Sequence, residues 1–237
     1  MEGSLRAQLI AVRDRRHSKN HPFFELWARG KLTREQTAIY CAQHFHFVGE
    51  YLNWMAYEAS QIRERDVKAY LFENLGDEEN PEDRHLDMLL DYVASCGLPK
   101  ESVEKAKVLP HTEALQNWGW RVVYQRPWQI ALTGMFIGLE SQFADICKKI
   151  VPALHEHYGY KPGSREIRFF EEHIGADEIH AAKAMVIVEK YCVSPEIREQ
   201  AAKIVEEATI KRWAYMNGIY WYALHGKEDD TPVLEGL

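Results

Sequence analysis

The stretch His173-Ile174-Gly175-Ala176-Asp177-Glu178-Ile179-His180 constrains the fold more than any other part of the chain. His173, Asp177 and His180 stand at i, i+4 and i+7. That spacing puts three metal-ligating side chains on one face only if the backbone is an α-helix. Ile174, Ala176, Ile179, Ala181 and Ala184 flank them, so the face reads as a buried stripe. Helix punctuation recurs elsewhere. Thr33-Arg34-Glu35-Gln36 reads as a capping box that opens a helix running to about Gln61. Ser164-Arg165-Glu166-Ile167 opens the helix that carries the His–Asp–His stretch. Ser194-Pro195-Glu196-Ile197 opens a last helix through Arg212 towards Tyr222, with Pro at its first position. Breaks fall at Asn20-His21-Pro22, at Gly97-Leu98-Pro99-Lys100 and between Gly159 and Gly163. No alternating run of β-branched residues supports a sheet. The predicted fold is a single all-α domain of about seven or eight helices over residues 1–225, followed by an irregular tail, 226–237.

A net charge of −7 with scattered basic residues makes nucleic acid and anionic membrane poor partners. No stretch approaches the roughly 20 apolar residues of a membrane span, and the N-terminus lacks a signal peptide's basic start and apolar centre. Cys41, Cys96, Cys147 and Cys192 are widely spaced and form no CxxC pair. They read as free thiols in a reducing compartment, with the cytoplasm as the default. A helical domain of this size is compatible with a homodimer.

Two further segments repeat the ligand theme. Glu78 and His85 are seven residues apart, read as two turns of one helical stripe, and Glu140 stands alone in the apolar run Leu132–Leu139. With His173, Asp177 and His180 they make three carboxylates and three imidazoles, enough for two first-row transition metals. This donor set suits iron, manganese or zinc, whereas magnesium and calcium prefer all-oxygen shells. The competing reading is a solvated helix face for Glu78, which Asp77, Glu79, Glu82 and Asp83 crowd, and a structural polar network for the His–Asp–His stretch. For Glu140 the surface reading is weaker, because an unpaired carboxylate among Ile137, Leu139, Phe143 and Ile146 is costly to bury. Phe24, His44, Trp54, Trp118 and Trp120 are candidates to line a substrate pocket, with Arg121 or Arg126 to anchor a substrate carboxylate. Core packing and surface ion pairs compete for these residues.

The segment from His21-Pro22-Phe23-Phe24-Glu25-Leu26-Trp27 to Glu35-Gln36 resembles the opening of proteins related to pyrroloquinoline-quinone synthase and the TenA thiaminases, which share the haem-oxygenase-like helical fold. Asn74-Leu75-Gly76-Asp77-Glu78-Glu79-Asn80 with His85, then Glu140-Ser141-Gln142, then HxxxDxxH, narrows the match. These motifs resemble the haem-oxygenase-like di-iron oxidases, and most nearly the chlamydial para-aminobenzoate-forming members. The resemblance implies Glu78, His85, Glu140, His173, Asp177 and His180 as ligands of two irons, or of a manganese–iron pair. It also implies dioxygen as co-substrate, a peroxo-type oxidant, and a small amine, amino-acid or fatty-acid substrate attacked at a C–H or N–H bond. An external electron donor is compatible with that chemistry. The para-aminobenzoate-forming members consume a tyrosine of their own where this chain has Phe24. They carry another tyrosine where it has Leu139 and a lysine where it has Ile150, so an external substrate is expected. Two alternatives remain open: a metal-free TenA-like hydrolase or quinone-forming oxidase, with Cys147 as a candidate nucleophile, and a non-enzymatic helical interaction protein.

Overall fold

The computed structural model describes residues 4–228, with the side chains of Ala176 and Asp177 left aside. Among these residues every regular element is helical. They are α1 (Leu5–Asp14), α2 (Pro22–Ala28), α3 (Arg34–Gln61), α4 (Arg65–Glu78), α5 (His85–Ser95), α6 (Glu101–Glu104), α7 (Pro110–Gln125), α8 (Trp128–Leu132), α9 (Phe143–Glu156), α10 (Arg168–Tyr191) and α11 (Pro195–His225). The long elements α1, α3, α4, α5, α7, α8 running into α9, α10 and α11 match the expected all-α bundle. The tail beyond residue 228 lies outside the described residues.

The local signals act as the sequence reads. Thr33 Oγ1 accepts from the Gln36 backbone N–H at 3.2 Å, and Gln36 Oε1 accepts from the Thr33 N–H at 2.9 Å, so α3 opens on a complete capping box. Thr37, Tyr40, Cys41, His44, Phe47, Tyr51, Trp54, Met55 and Glu58 recur every three or four residues along α3 and are buried. That stripe faces α4, α5, α7 and α11. α7 comes close to it at Gly119, where a Cβ would stand 2.1 Å from the Trp54 ring. Ser194 caps α11 through the Ile197 N–H, and Gly226 ends the helix in the left-handed region at φ 66°. One boundary differs from expectation. Ser164 precedes a 3-10 turn, Arg165–Ile167, and α10 starts only at Arg168.

Residues Trp128–Glu156 form one continuous helix. Inside it lie a π-helical stretch, Thr133–Leu139, and a 3-10 turn, Glu140–Gln142, between α8 and α9. Gly134 and Gly138 let this stretch lie directly on α11. A Cβ on either would meet Ile204 at 2.8 Å or Ala208 at 2.4 Å. Contrary to the sequence expectation, this helix is by length and composition apolar enough to cross a membrane, but 83% of the apolar window is buried inside the fold. It is the central core helix. Phe23, Phe24, Trp27, Tyr40, Tyr92, Phe169 and Phe170 are among the largest fully buried side chains.

Candidate metal centre

Glu78 is the last residue of α4 and His85 the first of α5. They therefore do not share a helical stripe, and the expectation of two turns of one helix is corrected here. Pro81 lacks a backbone N–H and interrupts the helix. Asn80 Oδ1 accepts from the Glu82 N–H at 3.1 Å, and Arg84 pairs with Glu79 at 2.8 Å across the loop. The reversal brings His85 Nδ1 to 3.0 Å from Glu78 Oε2. On α10, His173 donates from Nδ1 to the Phe169 carbonyl at 2.6 Å, which leaves the lone pair on Nε2. That Nε2 lies 3.9 Å from Glu78 Oε1. Glu78, His85 and His173 each offer a ligand atom, and these atoms lie within 4.8 Å of one another.

A second group lies beside the first. His180 Nδ1 is 3.6 Å from Glu140 Oε1, and its Nε2 is 3.3 Å from Asp77 Oδ2. Tyr51 donates its hydroxyl to Glu140 Oε2 at 2.6 Å. Asp177 occupies the expected place on α10 between the two histidines, but its side chain lies outside the described residues.

Electrostatics favours a cation here. Glu78 Oε2, His85 Nδ1 and Glu140 Oε1 are sealed from solvent without an aligned hydrogen bond. Buried polar atoms are nearly always satisfied, and one metal ion in each group would satisfy all three. Burial works against charge on His85 and His180. Glu78 for the first, and Glu140 and Asp77 for the second, outweigh it and raise both imidazoles above their ordinary value. Burial also pushes the Glu78 carboxyl up, yet His85 and His173 hold it below the usual range. Burial drops His173 to about 4, so it presents a neutral imidazole. The same carboxylates that favour a proton on His85 and His180 would favour a bound cation, which would displace it.

The two groups open onto a cavity of about 50 Å³ with apolar walls from Phe47, Leu139, Phe143 and Phe169. His44, Tyr51 and Arg212 face it together with Glu78, Glu140 and His173. Of the residues proposed for a substrate pocket, His44 lines this cavity and the others do not. Phe24 packs edge-on against Tyr40, Trp54 is buried in the α3–α7 contact, and Trp118 is buried where α7 meets Gly134 and Glu207. Trp120 donates from Nε1 to Glu50 at 2.8 Å. Arg121 and Arg126 are half-exposed and face Glu207 at 3.5 Å and 4.0 Å. Their charges remain outside because surface ion pairs keep most of their hydration. Cys147 is fully buried and does not line the cavity.

Sequence reasoning missed Tyr51, Asp77 and Arg212. Two of them carried a readable signal. Tyr51 falls on the apolar stripe of α3, seven residues from His44. Arg212 falls on the stripe Val205, Ala208, Thr209, Tyr215, Met216, Ile219 of α11. A charged residue on an apolar stripe is the argument that singled out Glu140.

Residues 38–216 match the model of a family described as iron-containing redox enzymes. The chain belongs to that family. It is similar to a 4-aminobenzoate synthase of Nitrosomonas europaea, at 28% identity over 92% of this chain and 91% of the relative. A 4-aminobenzoate synthase of Chlamydia muridarum is 24% identical over 84% and 81% of the two chains. Among solved structures, a TenA homologue from Pseudomonas syringae pv. tomato superposes with a TM-score of 0.79 at 16% identity, covering 91% of this chain and 92% of that one. The fold is therefore the haem-oxygenase-like one expected from the resemblance. As a member of this iron-containing family the protein is an oxidoreductase.

Proposed function

We propose that the protein is a non-haem di-iron oxidase that uses dioxygen to oxidise a C–H or N–H bond of a small organic substrate. The observation that carries this reading is the group of buried ligand atoms without an aligned hydrogen bond, Glu78 Oε2, His85 Nδ1 and Glu140 Oε1, in a chain of the iron-containing redox family. Glu78, His85 and His173 would hold one metal. Glu140 and His180, with Asp177 one turn away on α10, would hold the other. A manganese–iron pair suits the same donors. Bound iron would supply the electrons that activate dioxygen.

The chain's own residues prepare the site. The Phe169 carbonyl fixes the His173 tautomer, and Asp77 does the same for His180 by accepting from Nε2. Tyr51 holds one oxygen of Glu140 and leaves the other for a cation. Phe47, Phe143 and Phe169 restrict water in the cavity, which strengthens every charge interaction inside it. An external electron donor, a cytoplasmic setting and a homodimer belong to the same proposal.

The relatives' name raises 4-aminobenzoate formation as a product class. Phe24, Leu139 and Ile150 stand where the resemblance implies two tyrosines and a lysine, and all three are fully buried apolar residues. An external substrate therefore fits this chain better than consumption of its own side chain at position 24.

The test is anaerobic loading with Fe(II), followed by metal analysis and exposure to dioxygen, alongside Glu140→Ala and His180→Ala. About two irons per chain are expected, reduced in both variants, with a transient visible absorption on oxygenation. Absence of specific iron uptake in the parent protein would sink the reading.

A further inference from the structure

Arg212 lines the cavity but has no task in the metal centre. It is 2% exposed, and its Nε is sealed from solvent without an acceptor. Among the described residues its guanidinium forms no ion pair. A guanidinium cannot shed its proton, and arginine is almost never buried this deeply without a partner. Its charge acts on His44, Tyr40 and Tyr215, where burial disfavours the charged form of each, so none of the three supplies a balancing anion. Glu140 is held by Tyr51 and faces His180, while Glu78 faces His85 and His173. An uncompensated buried charge is costly, so the cavity is complete only when an anion enters it.

We propose that Arg212 is the anchor for a substrate carboxylate, which makes the substrate a small monocarboxylic acid with its hydrocarbon part against Phe47, Phe143 and Phe169. The planar fork of a guanidinium matches a carboxylate through two parallel hydrogen bonds. A single cation in apolar walls balances one negative charge and would leave a dianion half-neutralised. An engineered cavity of about 150 Å³ in another protein holds benzene. The 50 Å³ here takes a carboxylate and roughly two or three carbons before side chains must move. What happens to the acid next rests on the di-iron reading; the binding step does not.

The test is thermal unfolding of the Fe(II)-loaded protein under anaerobic conditions, and of the metal-free protein, at matched ionic strength. Sodium butanoate is compared with uncharged butanamide, in the parent chain and in Arg212→Gln. A saturable rise in Tm with butanoate is expected, with none from butanamide and none in Arg212→Gln. An equal rise in Arg212→Gln would overturn the assignment, as would equal responses to acid and amide. No response of the parent chain to butanoate or propanoate would also overturn it. Should Arg212→Gln fail to fold, Arg212→Lys keeps the charge and loses the fork. Half-saturation at a concentration at least tenfold higher is then expected, and an unchanged value counts against the proposal. Iron content measured in the same samples separates the two readings, because acid binding without iron uptake sinks only the di-iron one.

Discussion

The hydroxyl of Tyr51 donates to Glu140 Oε2 at 2.6 Å, and the other oxygen of the same carboxylate faces His180 Nδ1 at 3.6 Å. One helix thus pins a carboxylate that another helix supplies, and leaves the free oxygen aimed at a third. A hydrogen bond to a charged acceptor is worth about 1.5–3 kcal/mol. Tyr51→Phe removes it and keeps the ring in the core. Fe(II) affinity, read by competition with a chromophoric chelator, is expected to fall about tenfold or more. An unchanged affinity would remove Tyr51 from the centre.

Asp77 acts one step further out. Its carboxylate meets His180 Nε2, and 55% of its side-chain surface is exposed. Asp77→Ala should leave Tm nearly unchanged and weaken iron binding by about 10–100-fold, the usual cost of removing a group that orients a metal-binding imidazole. Asp77→Asn, which still accepts from the ring, should recover most of that loss. Equal affinities in Asp77→Ala and the parent would mean that His180 needs no orienting partner.

Gly138 precedes Glu140 by two residues, and its missing Cβ would fall 2.4 Å from the Ala208 methyl. Gly138→Ala should push the π-helical stretch off α11 at a cost of about 1–3 kcal/mol. A lower Tm and reduced iron uptake should appear together. Ala208→Gly in the same chain should restore part of both. Failure of the second change to help would place the cost elsewhere in the contact.

Glu58 on α3 is buried, and its Oε2 has no hydrogen-bond partner. Burial pushes its carboxyl from the ordinary 4.5 up to about 8. Because the folded value lies above the unfolded one, the protonated group favours the fold below about 4.5. That contribution is lost as pH rises through about 8. Glu58→Gln should therefore raise stability at pH 9, and the gain should shrink towards nothing near pH 4.5. The slope between is expected to be at most on the order of 1 kcal/mol per pH unit in denaturant titrations. A gain independent of pH would contradict the assigned burial effect.

Much of this architecture was legible because helices carry local signatures. The Thr33–Gln36 box, Ser194-Pro195 and the i, i+4, i+7 spacing in α10 act within a few residues, where sequence reading is strong. Glu140 could be singled out because a lone carboxylate in an apolar run has few alternatives to a specific partner. The Glu78–His85 relation was misjudged because a two-turn helix and a helix–loop–helix reversal can both bring residues seven apart together; only Asn80-Pro81 pointed to the second. Pocket residues were the least legible. Trp54 fills space between α3 and α7, Trp118 packs where α7 meets Gly134 and α11, Arg121 and Arg126 stay at the surface, and the cavity instead takes Phe47, Phe143 and Phe169. Which aromatic faces a void and which fills a core depends on how distant helices cross, and no short window of residues encodes that.

The π-helical stretch Thr133–Leu139 means that the direction of Glu140 is set by chain length rather than by side-chain choice alone. An α-helix turns about 100° per residue. Deleting one residue between 133 and 139 would let the backbone return to regular winding and swing the carboxylate by about that angle, away from Tyr51 and His180. One residue more or less in this stretch is the difference between a helix that points an acid at the site and one that does not. Two such chains matched only by their apolar spacing would then fall one residue out of step at the position where the chemistry lies.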